Sequence, residues 1–183
     1  MVETIEFQTD RLCLRQWREE DREPFAELNA DQRVMEYFPS VLGPADSDAL
    51  MERCQSLIAG QGWGFWAVET RHDNKFIGFV GLNSPAYKLP FSPCVEIGWR
   101  LGFRHWSKGY ATEAAKGALQ KGFEVLGFQE IVSYTPLKNR RSRAVMERLN
   151  MRDTGETFEH PKIEPGHPLR LHCLYRLQRT QWP

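Results

Sequence analysis

The stretch from Val95 to Leu126 constrains the fold more than any other, because a strand, an irregular turn and a long amphipathic helix follow one another in it. Val95 to Leu101 has the pattern of a strand. From Lys108 onward, apolar residues recur every three or four positions, at Ala111, Ala114, Ala115, Ala118, Leu119, Phe123 and Leu126. This spacing predicts the longest amphipathic helix of the chain, and Gly127 marks its end.

The other segments supply the order of strands and helices. Alternating, β-branched or aromatic runs predict strands, and apolar spacings of three and four predict helices. The predicted order is strand 11–17, helices 19–29 and 46–60, strands 63–70, 76–83 and 95–101, helix 108–126, strand 130–135, helix 139–149, and strands 154–158 and 171–177. The second and third strands read as a hairpin. Because this order mixes a hairpin with strand-helix crossovers, we expect one α/β domain over residues 1–183, with a mixed sheet and helices on both faces.

The charge balance narrows the partners that the chain can have. Its 24 Lys+Arg equal its 24 Asp+Glu, so no overall charge attracts nucleic acid or an anionic membrane. Residues 1–10 lack the regions of a secretory signal, and no run of about 18 apolar residues is present for a membrane span. The 4 cysteines form no CxxC pair, which favours reduced thiols over disulfides or a zinc site. We expect a cytoplasmic protein that is a monomer or a homodimer.

The start of the long helix has the features of an anion-binding site. Gly109 and Ala111 leave the main-chain N–H groups there uncrowded, and the helix dipole favours a negative group by about 0.3–1 kcal/mol. A glycine at a helix start can equally serve close packing, so both interpretations stay open. The sequence contains no GxxxxGKS/T motif, which excludes a nucleotide P-loop.

Three motifs resemble those of a known family. They are Thr9-Asp10-Arg11-Leu12 near the start, Glu96-Ile97-Gly98 followed by Trp106-Ser107-Lys108-Gly109-Tyr110-Ala111-Thr112-Glu113-Ala114, and Asn139 with Ser142 at the later helix. In this pattern the chain resembles the GNAT N-acetyltransferases, specifically the branch typified by ribosomal-protein alanine acetyltransferases. Trp106 and Ser107 replace the Arg or Gln and the Gly of the broader family motif. Recognition there uses main-chain N–H groups, so both replacements leave the donors intact.

The resemblance implies a fold, a cosubstrate and a reaction. The fold is a GNAT-like, mostly antiparallel sheet of about seven strands, splayed between the fourth strand (95–101) and the fifth (130–135). The reaction is the direct attack of a primary amine on acetyl-CoA in a ternary complex, with no covalent enzyme intermediate. The residues expected to bind acetyl-CoA are Trp99, Arg100 and Leu101 along the fourth strand and, at the two helix starts, Trp106, Ser107, Lys108, Gly109, Tyr110, Ala111, Thr112, Asn139 and Ser142.

Glu96 is the leading candidate for the base, because a carboxylate in an apolar strand is costly unless it faces a polar cleft or finds a partner. An outward-facing or salt-bridged Glu96 is the alternative. His105 is a second titratable candidate, or else a solvated turn residue. Many relatives protonate the departing thiolate with a Tyr whose position is taken by Met146 in this chain. Ser142 offers a hydroxyl there, although it could merely bond the helix start.

Tyr134, on the fifth strand, is a reserve proton donor. Cys94 fits a buried thiol better than a nucleophile, because nothing beside it in sequence activates it. The loop from His160 to Cys173 holds three histidines, but their spacing matches no common zinc pattern. In the family the corresponding loop lines the acceptor pocket.

The acceptor and the competing functions stay open at this point. A weakly placed base favours α-amines or small amines over lysine side chains, and the resemblance points to protein N-termini, although similar enzymes also acetylate small molecules. The two alternatives are a catalytically idle CoA-binding module and an RNA- or ribosome-binding protein that uses the basic residues 138–152. Residues 1–60 hold 6 Arg and no Lys against 13 Asp+Glu, whereas residues 100–152 hold 11 Lys+Arg against 4 Glu. We therefore expect a basic cofactor side and an acidic acceptor side.

Overall fold

An eight-stranded sheet forms the centre of the fold in the computed structural model, which describes residues 2–183. Its strands are β1 (Phe7–Gln8), β2 (Leu12–Arg15), β3 (Phe65–Thr70), β4 (Phe76–Asn83), β5 (Glu96–Leu101), β6 (Glu130–Pro136), β7 (Arg152–Glu159) and β8 (Leu171–Gln178). The helices are α1 (Arg22–Ala30), α2 (Pro44–Gln61), α3 (Tyr110–Gln120) and α4 (Arg140–Arg148). No helix within residues 2–183 has both the length and the apolar composition needed to cross a membrane.

The strands lie in the order β1-β2-β3-β4-β5-β6-β8-β7, and all neighbours are antiparallel except β5 and β6. The predicted mixed, mostly antiparallel sheet and its central hairpin, β3 with β4, are confirmed. The sheet has eight strands rather than about seven, because Phe7 and Gln8 pair with Leu14 and Cys13. Two residues are too few to show a strand period in the sequence.

The predicted splay between the fourth and fifth predicted strands is confirmed between β5 and β6. These parallel strands pair at one position, Glu96 with Val132, where the Val132 N–H donates to the Val95 carbonyl at 2.9 Å. One step further the Ser133 hydroxyl donates to the Ile97 carbonyl at 3.0 Å. The main chain of β5 beyond Ile97 therefore borders an open gap.

Helices cover both faces of the sheet, as the strand pattern predicted. Phe79 of β4 packs against Phe25 of α1, with ring centroids 6.0 Å apart. Leu82 of the same strand points to the opposite face, where it contacts the chain at Gly122, just after α3. On that face α3 presents small residues to the core, since Ala114, Ala115 and Ala118 are fully buried.

The ends of α3 differ from the predicted helix 108–126. Ser107 and Gly109 have positive φ values of 59° and 80°, so the chain makes a tight turn and the helix begins at Tyr110. At the other end the backbone continues from Lys121 to Val125 as a π-helical turn. α3 and the π-helical turn together end at Val125, two residues before Gly127, which adopts φ 73°.

Candidate functional site

The turn before α3 presents a row of unpaired main-chain donors. The N–H groups of residues 107–112 have no hydrogen-bond acceptor within residues 2–183. A side chain added at Gly109 would meet one atom within 4 Å, the Arg11 Nη2 at 3.3 Å. An anion approaching this turn therefore finds free N–H groups, the positive end of α3 and a guanidinium.

Trp106 lies at the edge of this row, and its two N–H groups are already engaged. Its main-chain N–H donates to the Phe103 carbonyl at 3.2 Å, and its indole N–H donates to the Leu101 carbonyl at 2.8 Å. Both donors of Trp106 are thus used to hold the turn. The row of free donors begins one residue later, at Ser107.

An ion pair anchors this turn to the start of β2. Arg11 Nε lies 2.6 Å from Glu113 Oε2, and Arg11 Nη1 donates to the Lys108 carbonyl at 2.9 Å. The Thr9 hydroxyl donates to the second oxygen of Glu113 at 2.6 Å. The anchoring role of these three side chains was not predicted from the sequence, although Thr9, Arg11 and Glu113 all stand in the motifs that carry the resemblance.

A groove of about 300 Å³ adjoins the turn. Its lining comes from three segments and consists of Gln32, Arg33, Glu36, Phe103, Trp106 and Arg141. Arg141 pairs with Glu36 across the groove and lies over the Trp106 ring, 4.7 Å from its centre. The groove thus brings the segment after α1 and the start of α4 together beside the free N–H groups.

The gap between β5 and β6 exposes the main chain of Trp99. The carbonyls of Val95, Ile97 and Leu101 all point toward the β6 side of β5. Because main-chain groups alternate along a strand, the N–H and C=O of Trp99 point the same way, into the gap. The main chain of Arg100 instead pairs with Phe79 in β4, and the Leu101 carbonyl is taken by Trp106. Of the three residues predicted along this strand, Trp99 has both main-chain groups free within residues 2–183, whereas Leu101 has only its N–H free.

Glu96 lies at the mouth of the gap. Its carboxylate accepts a hydrogen bond from Asn83 Nδ2 at 2.8 Å and another from the Tyr134 hydroxyl. No Lys, Arg or His within residues 2–183 forms an ion pair with it, so the salt-bridged alternative does not hold. Burial raises the pKa of Glu96 above its usual value, and the two hydrogen bonds oppose this rise.

The Tyr134 hydroxyl continues a directed chain of hydrogen bonds. The Lys162 N–H donates to His160 Nδ1 at 3.3 Å, which assigns the proton of the neutral ring to Nε2. Nε2–H then donates to the Tyr87 hydroxyl at 3.2 Å, and Tyr87 donates to the Tyr134 hydroxyl at 2.9 Å. The single proton of Tyr134 is therefore directed to Glu96.

Burial shifts the pKa of each member of this chain toward its neutral form. The pKa of His160 falls to about 4, through burial and the neighbouring His172 and Lys162, and that of Tyr87 rises to about 12. Burial and the charge of Glu96 raise the pKa of Tyr134 well above its usual value. His160, Tyr87 and Tyr134 are thus held in their neutral forms beside the carboxyl group of Glu96. Tyr87 was missed in the sequence, because its two hydrogen-bond partners, Tyr134 and His160, come from distant segments.

The start of α4 lies on the other face of the gap. Asn139 caps this helix, because its Oδ1 accepts the Ser142 N–H at 3.2 Å and its Nδ2 donates to Thr135 Oγ1 at 2.9 Å. The Ser142 hydroxyl oxygen accepts a further bond from Asn139 at 3.1 Å. Met146 is buried and offers no proton. The polar atoms of the Asn139 side chain are thus engaged with Thr135 and Ser142. The proton of the Ser142 hydroxyl has no acceptor within residues 2–183.

The remaining candidates lie away from this chain or lack the needed chemistry. His105 belongs to a helical turn (Phe103–His105) and faces Tyr110, with burial and Lys108 lowering its pKa. Burial and Glu96 raise the pKa of Cys94, which disfavours the thiolate. The rings of His160 and His172 lie 5.0 Å apart, yet within residues 2–183 no three His, Cys, Asp or Glu side chains are arranged to hold a metal ion.

Comparisons with known proteins agree with this architecture. The family described as "Acetyltransferase (GNAT) domain" matches residues 11–152. The uncharacterized N-acetyltransferase YnaD of Bacillus subtilis (strain 168) is 29% identical over 175 residues, which cover 95% of this chain and 97% of that protein.

Two solved structures show the similarity in three dimensions. An acetyltransferase of the GNAT family from Bacillus anthracis superposes with a TM-score of 0.79 at 24% identity, covering 96% of this chain and 99% of that chain. The ribosomal-protein-S5-alanine acetyltransferase of Vibrio fischeri gives a TM-score of 0.75 at 16% identity, covering 98% and 99%. At these identities the likeness concerns the fold.

Proposed function

This chain belongs to the GNAT acetyltransferase family and is an N-acetyltransferase, and we propose that it transfers the acetyl group of acetyl-CoA directly to a primary amine. The acceptor is a protein N-terminal α-amine or the amine of a small molecule. The observation that carries this proposal is the position of Glu96, a carboxylate without a cationic partner, at the mouth of the gap into which Trp99 turns its main chain.

The residues around the gap fit acetyl-CoA, which supplies an activated acetyl thioester when bound. The free N–H groups of residues 107–112, with Arg11 beside Gly109, suit the pyrophosphate. The free main-chain groups of Trp99 suit the pantetheine arm, and the Trp99 N–H would polarise the thioester carbonyl. Tyr110, Ala111 and Thr112 contribute main-chain donors to this set, whereas Asn139 fixes the start of α4.

Glu96 acts as the base in this proposal. Its raised pKa brings it closer to that of an amine, and its hydrogen bonds from Asn83 and Tyr134 hold the carboxylate in one orientation. Deprotonation of an α-amine with a pKa near 8 costs about 1–1.5 kcal/mol at pH 7, against about 4.6 kcal/mol for a lysine side chain. A buried carboxylate of this kind therefore favours α-amines and other weakly basic amines.

The candidates for protonating the thiolate that leaves are two hydroxyls. Ser142 lies on the α4 face of the gap and has a proton that no described acceptor takes. Tyr134 lies on the Glu96 face, and its proton is directed to Glu96. We assign the acid role to Ser142 and the orientation of Glu96 to Tyr134, because a proton engaged by a carboxylate is less available to a thiolate.

The ribosomal-protein alanine acetyltransferase branch supplies the class of acceptor that we test first. The branch-type motif around Gly109 and the opening Thr9-Asp10-Arg11-Leu12 support this choice. The likeness to the Vibrio fischeri enzyme in fold is consistent with it.

The proposal is tested by measuring thiol release from acetyl-CoA with four sets of amines: peptides with free N-termini, amino acids, polyamines and aminoglycosides. We expect turnover with α-amine acceptors and none with the same peptides blocked at the N-terminus. Binding of acetyl-CoA without thiol release for any amine would instead identify a catalytically idle module.

Gly109→Glu tests the cofactor side separately, because its carboxylate would occupy the place proposed for phosphate. We expect loss of acetyl-CoA binding in calorimetry. Gly127→Glu is the matched control, since Gly127 has a similar φ of 73° and open space around it, far from the row of free donors. Normal acetyl-CoA affinity in Gly109→Glu would overturn the proposed phosphate site.

A further inference from the structure

Arg100 places a guanidinium inside the protein without a carboxylate partner. Its Nη1 donates to Asn29 Oδ1 at 2.7 Å, and its Nε is buried with no acceptor among the residues that the structure describes. The group that opposes the effect of burial on the pKa of Arg100 is the thiol of Cys54, whose own pKa burial raises to about 12. Within residues 2–183, no Asp or Glu forms an ion pair with Arg100.

One edge of this guanidinium has no hydrogen-bond partner within residues 2–183. Nη1 is engaged by Asn29, so the edge formed by Nε and Nη2 carries no hydrogen bond to any residue of 2–183. Two parallel N–H groups on one edge match the two oxygens of a carboxylate. Aromatic rings cover the faces of the group instead, with Phe38 at 4.2 Å and Phe79 at 5.3 Å from its carbon to the ring centres.

The position of Arg100 is fixed by a second buried polar pair. Asn29 is fully buried, and its Nδ2 donates to the Ser47 hydroxyl at 2.9 Å, which turns Oδ1 toward Arg100. Helices α1 and α2 thus hold the guanidinium in place through Asn29. Phe38, on the segment that joins these helices, covers one face of the guanidinium and keeps 38% of its surface exposed, so a single side chain separates Arg100 from solvent on that face.

Arg100 shares a face of the sheet with the candidate base. Residues 96 and 100 both occupy even positions of β5, so their side chains project to the same side, away from α3. Four residues of strand separate their Cα atoms by about 13 Å. The free N–H groups proposed for the cofactor phosphates precede α3, which packs on the other face, and Arg100 is thus placed on the acceptor side of β5.

We propose that the open Nε and Nη2 edge of Arg100 binds a carboxylate of the acceptor, so that the preferred substrates are peptide-like amines that carry a carboxylate within their first few residues. The inference rests on the proposed function and adds the substrate class. The amine lies at Glu96 and the carboxylate at Arg100. The carboxylate can come from the C-terminus of a short peptide or from an acidic side chain close to a protein N-terminus.

The test compares acceptors that differ in one carboxylate. Tetrapeptides with a free C-terminus are paired with their C-terminal amides, and amidated peptides with Asp at position 2, 3 or 4 are paired with their Asn counterparts. For the wild-type enzyme we expect kcat/KM to be higher for the carboxylate member by on the order of 10- to 100-fold, mainly through KM. The first set reports a terminal carboxylate and the second an acidic side chain.

Arg100→Met should bring this ratio to about 1, and Arg100→Lys should leave an intermediate ratio, because a lysine keeps the charge without the two-pronged edge. Arg53→Met, which removes an exposed arginine of α2, should keep the wild-type ratio. Circular dichroism checks that each variant is folded. If Arg100→Met does not fold, the Arg100→Lys ratio decides the question.

Different failures point to different conclusions. Transfer to amines with a wild-type ratio near 1 would overturn the role of Arg100 and leave the proposed function intact. An unchanged ratio in Arg100→Met or, where that variant does not fold, in Arg100→Lys would do the same. Absence of transfer to every amine would contradict the proposed function itself, and the inference would fall with it.

Discussion

Two buried regions of this protein differ in whether their charged side chains have a counter-ion. In the Arg15 cluster (Arg15, Arg18, Asp21 and Glu69), the Arg15 guanidinium donates to both oxygens of Asp21 at 2.7 and 2.8 Å and to Glu69 at 2.9 Å, and Arg18 donates to Glu69 at 3.3 Å. On the β5 face (Glu96 and Arg100), no residue of 2–183 supplies a cation to the carboxylate or a carboxylate to the guanidinium. In the first region the charged side chains neutralise one another. In the second region each charged side chain lacks a counter-ion within residues 2–183.

The pKa shifts follow this difference. Burial alone would lower the pKa of Arg15, but hydrogen bonds to Asp21 and Glu69 raise it above its usual value. Burial lowers the pKa of Arg100 to about 10, and the nearby thiol of Cys54 opposes this only weakly. A buried charge that finds its counter-ion in the fold stabilises a structure, whereas one left unpaired is expected where a ligand completes the pair.

Arg15→Met should produce the largest effect on stability. The substitution leaves the buried carboxylates of Asp21 and Glu69 without their guanidinium, which we expect to lower the free energy of unfolding by about 3–5 kcal/mol. Urea denaturation measures the change, with exposed Arg53→Met as the control. A loss below about 1 kcal/mol would show that this cluster is not the neutralised region described above.

Glu96→Gln should instead lower catalysis while leaving the fold in place. Gln keeps the shape of the side chain but cannot take a proton, so we expect kcat to fall by about 100-fold or more, the usual contribution of a general base. Acetyl-CoA affinity should stay close to that of the wild type. A wild-type rate and pH profile in this variant would remove Glu96 as the base.

Tyr134→Phe should shift the pH dependence of the reaction, which is a smaller effect than the loss of kcat in Glu96→Gln. The Tyr134 hydrogen bond stabilises the Glu96 carboxylate and lowers its pKa, so its removal raises that pKa further. The base must be deprotonated to act, and the acidic limb of kcat/KM should therefore move to higher pH, by about 0.5–1 unit.

Tyr87→Phe should move the same limb in the same direction by less, because Tyr87 acts on Glu96 only through Tyr134. Tyr175→Phe is the matched control, since the Tyr175 hydroxyl contacts Arg143 and Glu147 beside α4, away from Glu96. A limb that stays in place in Tyr134→Phe, or that moves equally in Tyr175→Phe, would contradict the role of this hydrogen-bond chain.

The sequence predicted the fold better than the site, and the two regions show why. Local periodicity predicts each long strand and helix, and the residues of the turn before α3 are neighbours in sequence. The partners of Glu96 come instead from β4, the segment after it, β6 and the loop before β8, so no short motif contains them. The missing counter-ion of Arg100 is likewise invisible in sequence, because it depends on which side chains the fold leaves out of reach.

Arg100→Met should have the smallest effect on stability, in contrast to Arg15→Met. Removing the guanidinium costs the hydrogen bond to Asn29, by about 1–3 kcal/mol, but it also removes a desolvated charge whose burial opposes folding. Because these contributions oppose each other, we expect the free energy of unfolding in urea to change by less than about 1 kcal/mol. A loss comparable to that of Arg15→Met would mean that the guanidinium of Arg100 serves the fold, and the contrast between a neutralised cluster and an open one would no longer stand.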